Sequence, residues 1–371
     1  MSDLPRAKGE LFRYADSAAC VAFEYDLDNH GEAKLSGDAA VDEETAAATT
    51  ADANPSTPKK RKKTKLAVVA VGGLTDGFFA LPYLPHLAKL LGADGARNGG
   101  GVEWSLITPL LSSSHRGWGT SSLDRDAAEL LELSAHLRAR RGVDGIALLG
   151  HSTGCQDAVR YAEREREQQR GREGAGEIAR APLVGVILQA PVSDRECFFL
   201  DPEAAPLAQR RLDRCREAVL RGKDPQETVV DFMSEWDGAP LSASRWLSLA
   251  AERGDDDYFS SDFSDAELAE RLRALGGGGG RGGEGEAESA IPTLIVASLR
   301  EQYLPKEYDT AAHARRLAAA INGPREERGG PGSPRAEAVA LDGDHALRGA
   351  EAEAARVMFD FLSTECRPRP A

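Results

Sequence analysis

Among the residues able to do chemistry, Ser152 has the most telling neighbours. In Ile146-Ala147-Leu148-Leu149-Gly150-His151-Ser152-Thr153-Gly154, four apolar residues run into Gly-x-Ser-x-Gly, and Cys155 to Ala162 continues as a helical pattern. A buried strand, a sharp turn and a helix would hold Ser152 at the turn in a strained backbone conformation, its hydroxyl presented to a carbonyl carbon. Gly150 and Gly154 suit that turn, because a Cβ at either place would clash with strand or helix. The backbone N–H of Thr153, at the start of the helix, would point to where negative charge develops on the carbonyl oxygen.

A serine hydroxyl is a weak nucleophile until a base takes its proton, so a histidine is required. The candidates are His30, His86, His115, His136, His151, His313 and His345. His86 and His136 fall on helical stretches and are expected at the surface. His151 is expected to point away from the serine hydroxyl, and His313, mid-helix among Ala and Arg, to be solvated. His345 follows a strand and precedes a helix late in the chain, which fits the order nucleophile, acid, base. The acid belongs in the loop after the strand ending at Ala297, where Glu301 is the only carboxylate before Pro305. Asp194, at the end of the preceding strand, is the alternative acid, and both stay open at this level. Asp342 and Asp344 are too close in sequence to His345 to orient its ring and are read as turn formers.

These residues need a frame to bring them together. Short strands are expected at Leu11–Tyr14 and Val21–Tyr25, and a nearly unbroken apolar strand at Leu66–Val71. The latter ends in Gly72-Gly73-Leu74-Thr75-Asp76-Gly77, whose backbone can approach a ligand, so the N–H of Leu74 is a second candidate donor to an oxyanion. A helix at Pro82–Leu91 and a strand at Trp104–Thr108 follow. The polar loop Ser112–Ser122 leads into an amphipathic helix, Asp124–Arg140, with Leu123, Ala127, Leu130, Leu131, Ser134 and Leu137 on one face. Further strands are expected at Leu183–Ala190, Pro292–Ala297 and Ala336–Leu341, and helices at Tyr308–Ile321 and Glu351–Leu362. Alternating apolar strands and helices imply an α/β fold, a doubly wound and mostly parallel sheet whose active residues sit at the carboxyl ends of the strands.

Interruptions in this pattern define the remaining organisation of a single 1–371 domain. Residues 37–65 form a low-complexity stretch that cannot bury apolar area, expected as a disordered insertion. Residues 197–275 are charged and helical in pattern, with Trp236, Trp246, Tyr258 and Phe259 interspersed, and are expected as an all-helical lid. Residues 276–290 are a glycine-dense linker.

Composition narrows the function further. With 46 Lys+Arg against 60 Asp+Glu the formal net charge is -14, which disfavours nucleic acid or an anionic membrane as partner. No apolar run approaches the ~20 residues of a membrane span. Five scattered cysteines without a Cys-x-x-Cys pair argue against a disulfide framework or zinc site and for a reducing compartment. A cytoplasmic place is expected, with a nuclear one as the alternative if the basic run Lys59–Lys63 is a localisation signal. No metal-ligand pattern or dinucleotide fingerprint is present, so no cofactor is expected.

The segments Gly72–Gly77, Ser112–Thr120, Gly150–Asp157 and Gln189-Ala190-Pro191-Val192-Ser193-Asp194-Arg195-Glu196 together resemble the fungal and plant α/β-hydrolase family known as domain of unknown function 1749, which includes intracellular siderophore esterases. The resemblance implies ester hydrolysis with Ser152 as nucleophile and His345 as base. The family's Asp-Glu-Tyr-x-Pro loop falls on Glu301-Gln302-Tyr303-Leu304-Pro305, so Glu here replaces Asp in the acid's place. The expected function is therefore a serine esterase acting on a small-molecule ester, with siderophore-type esters among the candidates. An acyltransferase uses the same residues, and a non-catalytic protein of this fold that binds a small molecule or partner is the alternative from another class. The oligomeric state is not written in these residues.

Overall fold

In chain order the elements are β1 (Gly9–Arg13), β2 (Val21–Tyr25), β3 (Thr64–Val71), α1 (Leu84–Arg97), β4 (Val102–Leu110), α2 (Leu123–Arg141), β5 (Gly145–His151), α3 (Thr153–Arg170) and β6 (Leu183–Gln189). There follow α4 (Asp194–Phe198), α5 (Ala205–Leu220), β7 (Thr228–Met233), β8 (Pro240–Ser242), α6 (Ala243–Ala250) and α7 (Asp265–Arg271). The chain closes with β9 (Thr293–Ser298), α8 (Thr310–Asn322), β10 (Ala336–Leu341) and α9 (Glu351–Glu365). The computed structural model describes residues 7–17, 20–28, 63–97, 101–170, 179–225, 228–233, 238–276, 289–323 and 336–367.

The main sheet runs β1-β2-β4-β3-β5-β6-β9-β10. The β1–β2 and β2–β4 pairs are antiparallel, and every other pair is parallel. The continuous apolar run of β3 is explained by burial on both faces. Leu66, Val68 and Ala70 join one cluster with α1 and α9, while Ala67, Val69 and Val71 join the other with α2, α3 and α8. Side chains alternate across a strand, so a strand covered on both faces shows no polar side in its sequence.

Local chemistry sets the helix ends. Ser122 accepts a hydrogen bond from the N–H of Arg125 at the start of α2, Asp124 and Asp126 occupy its first turn, and left-handed Gly142 ends it. The face expected from Leu123 to Leu137 is the buried one. The loop before it holds a single 3-10 turn, His115–Gly119, that buries Trp118.

The segment between β6 and β9 departs from the all-helical expectation. It carries α4 to α7, and also β7 and β8, which pair antiparallel. Two short strands satisfy each other's backbone groups without the long apolar run that would mark them in sequence. A third apolar cluster joins this segment to the body through Trp118, Phe198, Leu212, Leu241 and Trp246. Arg245 of α6 is fully buried there. Its Nε donates to the Trp118 carbonyl at 2.8 Å, and its guanidinium pairs with Asp256. The expected 37–65 insertion lies outside the described residues up to residue 62, as does the linker from 277 to 288.

Candidate active site

The turn between β5 and α3 forms as the glycine spacing requires. Ser152 has φ +53°, a conformation non-glycine residues rarely hold unless the surroundings impose it. A Cβ on Gly150 would lie 2.2 Å from the carbonyl oxygen of Gly154, and one on Gly154 would lie 2.4 Å from that of Val71. Both glycines are thus needed for the helix start to sit against β5 and β3. The N–H of Ser152 donates to the carbonyl of Gln189 at 3.0 Å, which ties the turn to the end of β6.

His345 lies in the loop between β10 and α9. Its Nδ1 is 2.7 Å from Glu301 Oε2, and the two side chains are 8% and 3% exposed. The other carboxylate oxygen, Oε1, accepts the backbone N–H of Tyr303 at 3.0 Å. The His345 N–H donates to Gln302 Oε1 at 3.0 Å, and the Tyr303 ring stands edge-on to the imidazole with centroids 4.6 Å apart. The loop after β9 therefore grips the histidine from three sides. Asp194, the alternative acid, instead accepts from Gln156 Nε2 at 2.8 Å and lies 3.5 Å from the Thr153 hydroxyl. Burial pushes its carboxyl up to about 7, opposed by Arg245 and reinforced by Asp256 and Asp257.

Ser152 and His345 line one cavity of about 390 Å³ together with Leu74, Asp76, Val192, Asp194, Cys197, Tyr303 and Arg348. Glu301 stands behind the imidazole. The glycine turn after β3 is fixed by Asp76, whose Oδ2 accepts the Gly73 N–H at 2.8 Å. That amide is thereby occupied, which leaves Leu74 as the next amide along the turn. Thr153, the first residue of α3, carries one of the N–H groups that a helix start leaves without an intrahelical acceptor. Burial raises the Asp76 carboxyl and pushes the Cys197 thiol up to about 12, so the cavity wall there is an uncharged thiol.

One histidine lies otherwise than expected, and a second takes a place the sequence did not specify. His313 is buried rather than solvated. The chain around Phe259 packs over α8, His313 Nε2 meets the Phe259 carbonyl at 2.9 Å, and burial pushes its pKa down to about 4. His151 is buried in the wall of the cavity with its ring 4.8 Å from that of His345. Burial, then the nearby charge of His345, pushes its pKa down to about 3. Gln189 was also missed, although a lone amide ending an apolar strand is itself a sign of a buried polar partner. Among the described residues no cluster of His, Cys, Asp and Glu could hold a metal ion, and no helix is long and apolar enough to cross a membrane.

Comparison with known proteins places this geometry in context. The profile of the family described as protein of unknown function (DUF1749) matches residues 46–361. A UPF0613 protein of Schizosaccharomyces pombe is 30% identical over 267 residues, covering 70% of this chain and 75% of that protein. Fusarinine C esterase of Aspergillus fumigatus is 32% identical over 265 residues, 62% of this chain and 72% of its own. Among solved structures, the siderophore hydrolase EstB from Aspergillus fumigatus superposes with a TM-score of 0.61 at 24% identity over 97% of each chain. An α/β-hydrolase-fold protein of unknown function gives 0.54 at 15% identity, over 98% of this chain and 97% of that one. The fold is that of the α/β-hydrolases.

Proposed function

Because this chain belongs to the DUF1749 family, we propose that it is a carboxylic-ester hydrolase working through Ser152, His345 and Glu301. The observation that carries this is the 2.7 Å contact of Glu301 with His345 Nδ1, in a histidine that shares its cavity with the strained serine. Glu301 holds the proton on Nδ1, so Nε2 keeps its lone pair for the Ser152 hydroxyl. Ser152 Oγ attacks the ester carbonyl as its proton passes to Nε2. The carbonyl oxygen, now negative, takes hydrogen bonds from the backbone N–H groups of Leu74 and Thr153. Collapse breaks the C–O bond to the alcohol, which leaves with the proton from His345. Water then attacks the acyl-serine by the same route, returning the serine proton and releasing the acid.

A cavity of about 390 Å³ falls in the range of small-molecule sites. The fusarinine C esterase among the relatives makes siderophore-type esters the first substrates to try. The segment between β6 and β9 serves as the lid. All five cysteines are unpaired thiols, which suits a reducing, cytoplasmic setting. The basic run Lys59–Lys63, outside the described residues up to Lys62, is the feature that would redirect the protein to the nucleus.

The test is labelling of the purified chain with a fluorophosphonate beside Ser152→Ala, followed by an ester panel from nitrophenyl acetate to ferric hydroxamate esters. Labelling and turnover that vanish in the variant are expected. Folded wild type that neither labels nor cleaves nitrophenyl acetate, an ester small enough to pass a closed lid, would overturn the esterase in favour of a binding protein. Labelling without hydrolysis, with acyl groups passed to an added alcohol, would favour an acyltransferase.

A further inference from the structure

Gln189 ends β6 with no exposed surface, yet it carries two donors and two acceptor lone pairs that must be satisfied. Its Nε2 donates to the backbone carbonyl of His345 at 2.9 Å. Its Oε1 therefore faces His151 Nδ1 at 2.5 Å, with the Tyr83 hydroxyl at 3.4 Å on the same oxygen. An amide oxygen can only accept, so His151 carries its proton on Nδ1. The Gln189 backbone carbonyl meanwhile accepts the Ser152 N–H at 3.0 Å. One residue thus holds the serine's own backbone, the ring beside the base and the base's own carbonyl.

We propose that Gln189 is a positioning residue that sets the distance between Ser152 and His345, using His151 as a neutral spacer against the base. The proposal rests on the esterase reading of the site. His345 is flanked by two rings, His151 at 4.8 Å and Tyr303 at 4.6 Å. Tyr303 belongs to the loop that carries the acid, whereas His151 belongs to the strand that carries the nucleophile. The imidazole is therefore held against both of its partners' elements, and Gln189 fixes the side nearest the serine. A neutral ring also spares the His345 imidazolium a second positive charge at van der Waals distance when it forms during the reaction.

Replacing Gln189 separates this role from a purely structural one. In Gln189→Leu, kcat is expected to fall about 10–100-fold, the effect of misplacing reacting groups by an ångström or less, with KM within about threefold. Gln189→Glu has a more specific signature. While protonated, the introduced carboxyl still donates to the His345 carbonyl and accepts from His151, whereas once ionised it cannot donate. Around that carboxyl stand His151, the His345 backbone carbonyl and Tyr83, with the Cys155 thiol on the Gln189 backbone carbonyl and Asp76 and Arg348 acting on His151 from its other side. The variant should therefore lose activity as pH rises, where wild type continues on a plateau.

Nitrogen NMR of histidine-labelled wild type, assigned with His151→Phe, gives a readout that needs no activity. It should show His151 neutral with its proton on Nδ1. A proton on Nε2, a Gln189→Leu kcat within threefold of wild type, or a Gln189→Glu profile of wild-type shape would each overturn the proposal. If Gln189→Leu does not fold, the Gln189→Glu profile and the NMR decide. If wild type cleaves no ester, the esterase reading falls and the NMR alone still decides the Gln189 link.

Discussion

Glu301→Gln tests the charge relationship at the centre of the site, and the structure gives its size. Both carboxylate oxygens are engaged, Oε2 by His345 Nδ1 at 2.7 Å and Oε1 by the Tyr303 N–H at 3.0 Å. A glutamine has one oxygen and one NH2 for these two partners. With its oxygen on the Tyr303 N–H, its NH2 faces Nδ1, and His345 must carry its proton on Nε2, where it cannot accept from Ser152. Turning the amide over restores the base but sets an NH2 against an N–H, leaving a buried donor unsatisfied at a cost of about 1–3 kcal/mol. Loss of the charge-assisted bond to the imidazolium adds roughly 1 kcal/mol. The sum, about 2–4 kcal/mol, corresponds to a loss of roughly 30- to 1000-fold in kcat/KM. The assay is hydrolysis of a nitrophenyl ester with melting curves as the control for folding. Glu301→Asp keeps the charge but withdraws it by about one C–C bond, ~1.5 Å, and should lose less. A Glu301→Gln variant within threefold of wild type, or a larger loss from Asp194→Asn in a folded protein, would refute the assignment of the acid.

Two further outcomes follow from groups around this centre. Asp194 keeps its proton in the folded state up to about pH 7, whereas the unfolded chain releases it near 3.8. The folded state binds more protons across that window, so this group's contribution to stability is present below about pH 4 and lost as pH rises to 7. Asp194→Asn should raise the denaturant midpoint at pH 8 by up to a few kcal/mol equivalent, with the gain fading toward pH 4. An identical difference at pH 5 and pH 8 would show that the carboxyl is not held protonated. Gly154→Ala sets a methyl 2.4 Å from the Val71 carbonyl oxygen, and should cost about 1–3 kcal/mol or more in urea unfolding, together with loss of probe labelling.

The sequence announced the sheet because its central strands are covered on both faces, and six consecutive buried residues in β3 read as an apolar run. Ser152 was legible because its turn constrains the residues on either side. His345 was legible because it sits between a strand and a helix, and Glu301 and Asp194 both qualified as acid on the same grounds. What separates their surroundings in space is side-chain reach across loops distant in the chain, which no local pattern records. The surroundings of His151 were not legible because strand alternation alone does not say what waits on the far side, and here it is the loop of His345. His313 was misjudged because the segment covering it, near Phe259, is more than fifty residues away. The β7–β8 pair is too short for periodicity to declare.

The buried ion pair of Arg245 bears on how molecules come and go. Swinging α6 outward would part Arg245 from Asp256 and strip the arginine from the Trp118 carbonyl. Parting the two while Asp256 stays buried would leave an uncompensated charge, at a cost of about 3–5 kcal/mol. In the proposed lid, α6 is thus tied to the body by a polar anchor as well as by its apolar contacts. At the rim of the cavity Tyr303 is 41% exposed and the Arg348 side chain 61%. Those residues sit in the loops that carry Glu301 and His345, so the solvent-facing rim of the cavity is built from the same two loops as the proposed acid and base.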